Sequence, residues 1–383
     1  MKFRDLVFWF HLGCGVSAGL VILMMSITGV LLTYERQMIS WIDNAGLPDI
    51  TASGERQTLE NIIKTVTTYT GGKRPSSISV ENDPLEHVTV TIGRDEVFFV
   101  DPYSGTVAGE GSNKAREFFG TVTRWHRWFD VSGDGRDTAR AITGACNIIF
   151  LVLILTGMYL WLPKAWKWSH FRVRVFFNRH TITSKARDFN WHHVFGIWSC
   201  LPLAVVVATA IVFSYPSASN LVYRVYGESP PERAGGPGPP LNTADTAAYE
   251  NRQTGSDHGL EKLLVQAASR EPGWRSITFR VNDDPALPVT FTVDNGNGGQ
   301  PQKQLRVTVD RFTGSITSYA TFAEQSPGQR ARVIIRRLHT GEVFGVAGQT
   351  VAGMVSFAGI ILVYTGLALA YRRLIKPLFH KPA

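Results

Sequence analysis

Four long stretches of this 383-residue chain contain no Asp, Glu, Lys or Arg: Leu6–Tyr34, Ala141–Pro163, Asn190–Tyr223 and Val343–Tyr371. Each is long enough to cross a hydrocarbon layer of ~30 Å, which takes ~20 apolar residues. Each is apolar on every side, so periodicity marks no core-facing stripe. The expected fold class is therefore an α-helical membrane protein with four transmembrane helices, at residues 6–34, 140–163, 190–215 and 343–371. The first stretch is not a cleaved signal peptide. Its apolar segment is about twice a normal h-region, and no small-x-small site closes it.

Basic residues in short loops orient such a bundle. Residues 164–189 carry Lys164, Lys167, Arg172, Arg174, Arg179, Lys185 and Arg187 against the single acid Asp188. The tail, 372–383, adds Arg372, Arg373, Lys376 and Lys381, and the chain begins with Lys2 and Arg4. These three segments face the cytoplasm, and both termini with them. The net charge of +8 mostly reflects this asymmetry and gives no argument for nucleic acid. Cys14, Cys146 and Cys200 all lie inside the apolar stretches, which excludes an external disulfide framework.

Residues 35–139 and 216–342 then face outward. The first outer segment reads as a helix at Thr58–Tyr69, strands at Ser77–Val80, His87–Ile92, Glu96–Val100 and Thr106–Ala108, and an interfacial helix at Asn113–Asp130. The second opens with a Pro- and Gly-rich stretch, 228–257, read as a disordered insertion. A helix at Leu260–Ala268 and strands at Ser276–Val281, Val289–Val293 and Leu305–Val309 follow.

The two halves repeat. His11 precedes Gly15 by four residues and Thr28 by seventeen, and His192 precedes Gly196 and Thr209 by the same intervals. Val100-Asp101-Pro102-Tyr103-Ser104-Gly105 matches Val309-Asp310-Arg311-Phe312-Thr313-Gly314. Gly144 precedes Thr156-Gly157 by twelve, as Gly353 precedes Thr365-Gly366. The chain is two copies of helix, small α+β domain, helix.

Topology sorts four histidines into two depth-matched pairs. His11 and His192 sit at the inner ends of outward-going spans, and His126 and His339 stand just before the returning spans. Paired neutral imidazoles are good axial ligands for haem iron and close the centre to oxygen. Gly15 and Gly196, one turn beyond the inner histidines, let a porphyrin lie against the backbone, although Gly15-x-x-x-Gly19 also reads as a helix-packing motif. His193 is the alternative to His192, pointing ~100° away on the helix. Arg124 and Arg127 flank His126, and Arg336 and Arg337 precede His339. These arginines suit haem propionates or another anionic ligand. His87, His170, His180, His258 and His380 lack repeat partners and read as surface residues.

The repeated plan, with His-x-x-x-Gly and Thr-Gly in the spans and Val-Asp-x-x-[Ser/Thr]-Gly between them, resembles the PepSY-associated transmembrane family. The resemblance covers the chain apart from the Pro-rich insertion. It implies two outward PepSY-like domains and is similar to inner-membrane ferrisiderophore reductases carrying two haem b groups. The implied partners are a ferric siderophore and a separate electron donor, a soluble reductase or quinol. No c-type haem motif, P-loop or dinucleotide fingerprint occurs in the sequence. Two other readings are a non-enzymatic PepSY-type binding or regulatory protein, and a siderophore importer. An intramembrane carboxylate or broken helix would favour the importer, and none is seen.

Overall fold

The computed structural model describes residues 2–163, 167–179, 181–231, 258–282, 284 and 287–379. From residue 232 onward the expected Pro-rich insertion lies outside the described residues, as do His180 and His380. The chain divides into two compact units. One comprises Met1–Glu35, Phe118–Glu228 and Ala331–Ala383, and the other Arg36–Glu117 with Ser229–Arg330.

In chain order the helices are α1 (Phe3–Leu32), α2 (Glu35–Asn44), α3 (Leu59–Tyr69), α4 (Asn113–Trp128), α5 (Gly135–Trp161), α6 (Trp168–Val175), α7 (Ser184–Ser214), α8 (Pro216–Val225), α9 (Leu260–Ala268), α10 (Pro327–His339) and α11 (Gly345–Leu374). The strands are β1 (Ser77–Glu81), β2 (Val88–Ile92), β3 (Glu96–Val100), β4 (Val107–Glu110), β5 (Ser276–Arg280), β6 (Val289–Asp294), β7 (Gln304–Val309) and β8 (Ile316–Thr321).

Four helices, α1, α5, α7 and α11, are long and apolar enough to cross a membrane. They form a ring in which α1 packs on α11, α11 on α7, α7 on α5 and α5 on α1. Neighbours run antiparallel, so α1 and α7 lie across a diagonal and share a direction. The bundle is apolar outside, and beside buried aliphatics such as Ile22, Leu203 and Val207 its interior holds many small and polar residues. Leu20 and Leu201 are 73% and 74% exposed, whereas Ser26, Thr28, Asn147, Ser199, Thr209 and Thr365 are buried. Lipid-immersed helices gain nothing by hiding leucine from one another, so they close on small residues and hydroxyls. Gly359 of α11 meets the Ser26 side chain of α1, where a Cβ would stand 2.8 Å from Oγ.

The apolar sequence continues to Tyr223, but α7 ends at Ser214 and Pro216 starts α8. Proline suits the first turn of a helix and cannot extend the preceding one. Beyond the α1 end, the loop before α7 is tied back by Asn190. Its side chain accepts from Asn178 N–H (2.9 Å) and donates to the carbonyls of Val173 (2.7 Å) and Phe176 (3.1 Å). Nearby, fully buried Asp188 holds Arg187 (2.9 Å) and Arg372 (2.6 Å).

The second unit differs from two separate α+β domains. Its strands form one eight-stranded antiparallel sheet, ordered β4-β3-β2-β1-β5-β6-β7-β8. Two four-stranded meanders, one from each half, meet at a β1–β5 seam with Ser79 opposite Thr278. A single core runs beneath, where Ile62 and Val66 of α3 and Leu263 and Ala267 of α9 cover Ile78, Val90, Ile277, Phe279, Phe291 and Val307. Strand β8 was not among the strands expected from sequence. Its Ile-Thr-Ser-Tyr-Ala-Thr is an edge strand with most side chains exposed, so no buried alternation marks it.

The repeat extends to individual hydrogen bonds. Asp101 Oδ1 accepts from the N–H groups of Tyr103 (2.8 Å) and Ser104 (3.3 Å), and Asp310 Oδ1 from Phe312 and Thr313 (both 2.9 Å). Each turn closes on a left-handed glycine, Gly105 (φ 69°) or Gly314 (φ 66°).

Candidate paired-histidine centres

His11, near the start of α1, and His192, near the start of α7, face each other across the diagonal with ring centroids 6.5 Å apart and planes at 89°. At the opposite end of the bundle, His126 and His339, from the last turns of α4 and α10, lie 6.4 Å apart at 57°. Imidazole–metal bonds run about 2.0–2.1 Å, and the ring centre lies about 1.1 Å behind the nitrogen, so two imidazoles on opposite sides of one metal have centroids about 6.3 Å apart. Both separations match that value. Among the described residues no cluster of three or more His, Cys, Asp or Glu side chains forms a metal site.

The remaining ring nitrogen of each histidine is occupied. His11 Nδ1 meets Thr156 Oγ1 of α5 at 2.8 Å, and His192 Nδ1 meets Thr365 Oγ1 of α11 at 3.0 Å. His126 Nδ1 meets Thr28 Oγ1 of α1 at 2.8 Å. His339 Nδ1 donates to the Val206 carbonyl of α7 at 2.9 Å, with Thr209 Oγ1 farther off at 3.5 Å. Every histidine thus faces one partner and is anchored by another helix. Burial, with His339 beside it, holds His126 down to about 4, and burial also lowers His339. Both are neutral at neutral pH, the form that ligates metals.

Glycine serves two purposes here. A Cβ at Gly157 or Gly366 would stand 3.3 or 3.4 Å from Cε1 of His11 or His192, so these residues seat the imidazoles themselves. At Gly15 and Gly196 the nearest atoms to such a Cβ are leucine methyls at 3.9 and 3.8 Å, so protein packing does not require glycine there. His193 hydrogen-bonds the Phe189 carbonyl of its own helix (2.8 Å) and stacks on that ring at 4.1 Å. The residue opposite His11 is His192.

The four arginines separate into two kinds. Arg124 is engaged by Asp130 and Thr121, and Arg337 by Glu342 at 2.5 Å. Arg127 and Arg336 belong to a cluster with Arg136 and Arg140. Burial, then the charges of Arg140, Arg336 and Arg136, pull the Arg127 pKa below its ordinary range. Among the described residues none of these four has a carboxylate partner. Arg127 and Arg136 both pack on the Trp128 ring, at 4.8 and 4.1 Å. Like charges gathered beside the His126–His339 pair create a region of positive potential.

The sequence pairs the histidines, and it shows the threonines only as a repeat. The signal was the seventeen-residue interval, ~25 Å along a helix, from His11 at one level to Thr28 at the other. No curated protein matches this chain. The pattern of the PepSY-associated TM region matches residues 8–373. With that match over most of its length and four membrane-crossing helices, the chain belongs to the PepSY-associated transmembrane family as a multi-pass membrane protein.

Proposed function

We propose that this chain is a di-haem b reductase of a bacterial inner membrane, with both termini cytoplasmic, that delivers electrons to a ferric siderophore at the outer face. The observation carrying this reading is the pair of metal-spaced imidazole couples at opposite ends of one four-helix bundle. When bound, haem at each couple would supply one-electron transfer across the bilayer.

The chain's own residues do the rest. His11 with His192, and His126 with His339, would hold the two haem groups, and paired imidazoles suit electron transfer rather than oxygen binding. Thr156, Thr365, Thr28 and the Val206 carbonyl fix each ring through Nδ1, so that Nε2 is the nitrogen left for a metal. The lipid-facing leucines keep water from the bundle. Arg127, Arg136, Arg140 and Arg336 attract carboxylates, either propionates or an acidic chelate. Reducing substrate Fe(III) to Fe(II) weakens hard-oxygen ligation and frees the metal. That step needs no acid–base residue. A soluble reductase or quinol serves as donor at the basic face.

Reduced-minus-oxidised spectra of purified protein, with haem counted per chain, test this. Two haems are expected in the parent and one each in His11→Ala and His126→Ala. A parent without a Soret band overturns the reading. A spectrum unchanged in both variants also overturns it and leaves the family's non-enzymatic, binding role.

A further inference from the structure

Four threonines, Thr28, Thr156, Thr209 and Thr365, recur in the spans, and each spends its hydroxyl proton in the same way. Thr28 Oγ1 donates to the Met24 carbonyl at 2.8 Å. Thr156, Thr209 and Thr365 donate to the carbonyls of Val152, Val205 and Ile361, all at 2.7 Å. A hydroxyl has one proton and two lone pairs. Once that proton is given to the preceding turn, the oxygen can only accept from an imidazole. Nδ1 of His11, His192 and His126 must therefore carry the hydrogen, which leaves the Nε2 lone pair free. The threonines choose the tautomer.

The fourth position differs. Gly157, Gly366 and Gly29 follow Thr156, Thr365 and Thr28, and Cε1 of an imidazole lies 3.3, 3.4 and 3.7 Å from where a Cβ would be. Thr209 is followed by Ala210 instead. There the ring sits 3.5 Å from the hydroxyl and takes the Val206 carbonyl at 2.9 Å. A carbonyl can only accept, so the tautomer is the same; the equivalent carbonyls of Met25 and Leu362 also bear on His126 and His192, but only at His339 does the main chain replace the hydroxyl as the nearer acceptor.

We infer that Thr156, Thr365 and Thr28 are positioning residues that set both the presented nitrogen and the donor strength of His11, His192 and His126, whereas Val206 does this for His339 and Thr209 is dispensable. This rests on the di-haem reading. An acceptor at Nδ1–H makes the opposite nitrogen a more basic ligand. A more basic ligand favours ferric over ferrous iron. Losing the acceptor therefore raises the reduction potential of that centre.

The test replaces each hydroxyl by a methyl of similar size and titrates the full-length holoprotein spectroelectrochemically. Thr156→Val is expected to raise the reduced-to-oxidised ratio of the His11–His192 centre three- to tenfold at fixed potential, about 30–60 mV for one electron. Thr28→Val should do the same at the other centre, and Thr209→Val should stay within twofold of the parent. Thr156→Ser, which keeps the hydroxyl, should restore the parent value. Where Thr156→Val loses its haem outright, recovery of haem in Thr156→Ser supports the assignment and continued loss overturns it. A two-haem parent whose Thr156→Val variant titrates unchanged, or whose Thr209→Val variant shifts as far, overturns this inference and leaves the function standing. A parent with no haem overturns both.

Discussion

A single methyl separates two classes of glycine in the bundle. At Gly157 a Cβ would press on His11 Cε1 at 3.3 Å, and the ring cannot retreat without leaving Thr156. Gly157→Val should therefore reduce haem content from two to one per chain while the four helices persist by circular dichroism. Gly15 is the opposite case, with only a leucine methyl at 3.9 Å. Gly15→Ala should leave apo-protein stability unchanged or raise it by up to about 1 kcal/mol, as alanine is the better helix former. Haem affinity should nonetheless fall, read as faster haem loss to apomyoglobin. At this scale the histidines were legible because doubling matched them in sequence, and His192 could be preferred to His193. Which arginines were free was not legible. Asp130 and Glu342 neutralise Arg124 and Arg337 through contacts that the sequence does not announce.

Helix edges carry the bundle's tolerances. Gly359 admits the Ser26 side chain of α1 at a distance no Cβ permits, so Gly359→Val should overpack the α1–α11 contact. The expected cost is about 1–3 kcal/mol, measured by thermal unfolding in detergent. Asp188 joins the start of α7 to the end of α11 from a fully buried position. Asp188→Leu leaves two guanidinium groups without their carboxylate. Because Arg187 is partly exposed, a loss near the lower end of the 3–5 kcal/mol range for broken buried pairs, about 3 kcal/mol, is expected by the same measurement. Element positions were legible where apolar runs or alternation were long: the four spans, α3 and seven of the eight strands followed from pattern. The exposed edge strand β8 and the short helices α2 and α8 carry too little buried surface to imprint one.

For the whole molecule, duplication predicts two small domains, and the structure instead gives one sheet sewn along β1–β5. Nothing in a strand's own residues names its partner across a gap this long, so the seam was not legible. Its consequence is cooperativity. Val281→Pro removes the N–H that donates to the Ser76 carbonyl (3.1 Å) across the seam, and hydrogen exchange should accelerate together in β1, β2, β5 and β6 rather than in the second half alone.

The crossed wiring of the bundle has an ancestral consequence. In each couple the two imidazoles come from different halves of the chain, and each half contributes one to each couple. One half alone owns two half-sites and completes neither. Two identical halves related by a twofold axis would complete both at once. An unduplicated forebear would thus have worked only as a homodimer, with equivalent ligands in each centre. Fusion into one polypeptide freed the copies to diverge, and the alanine at position 210 opposite the glycine at 29 is a mark of that freedom.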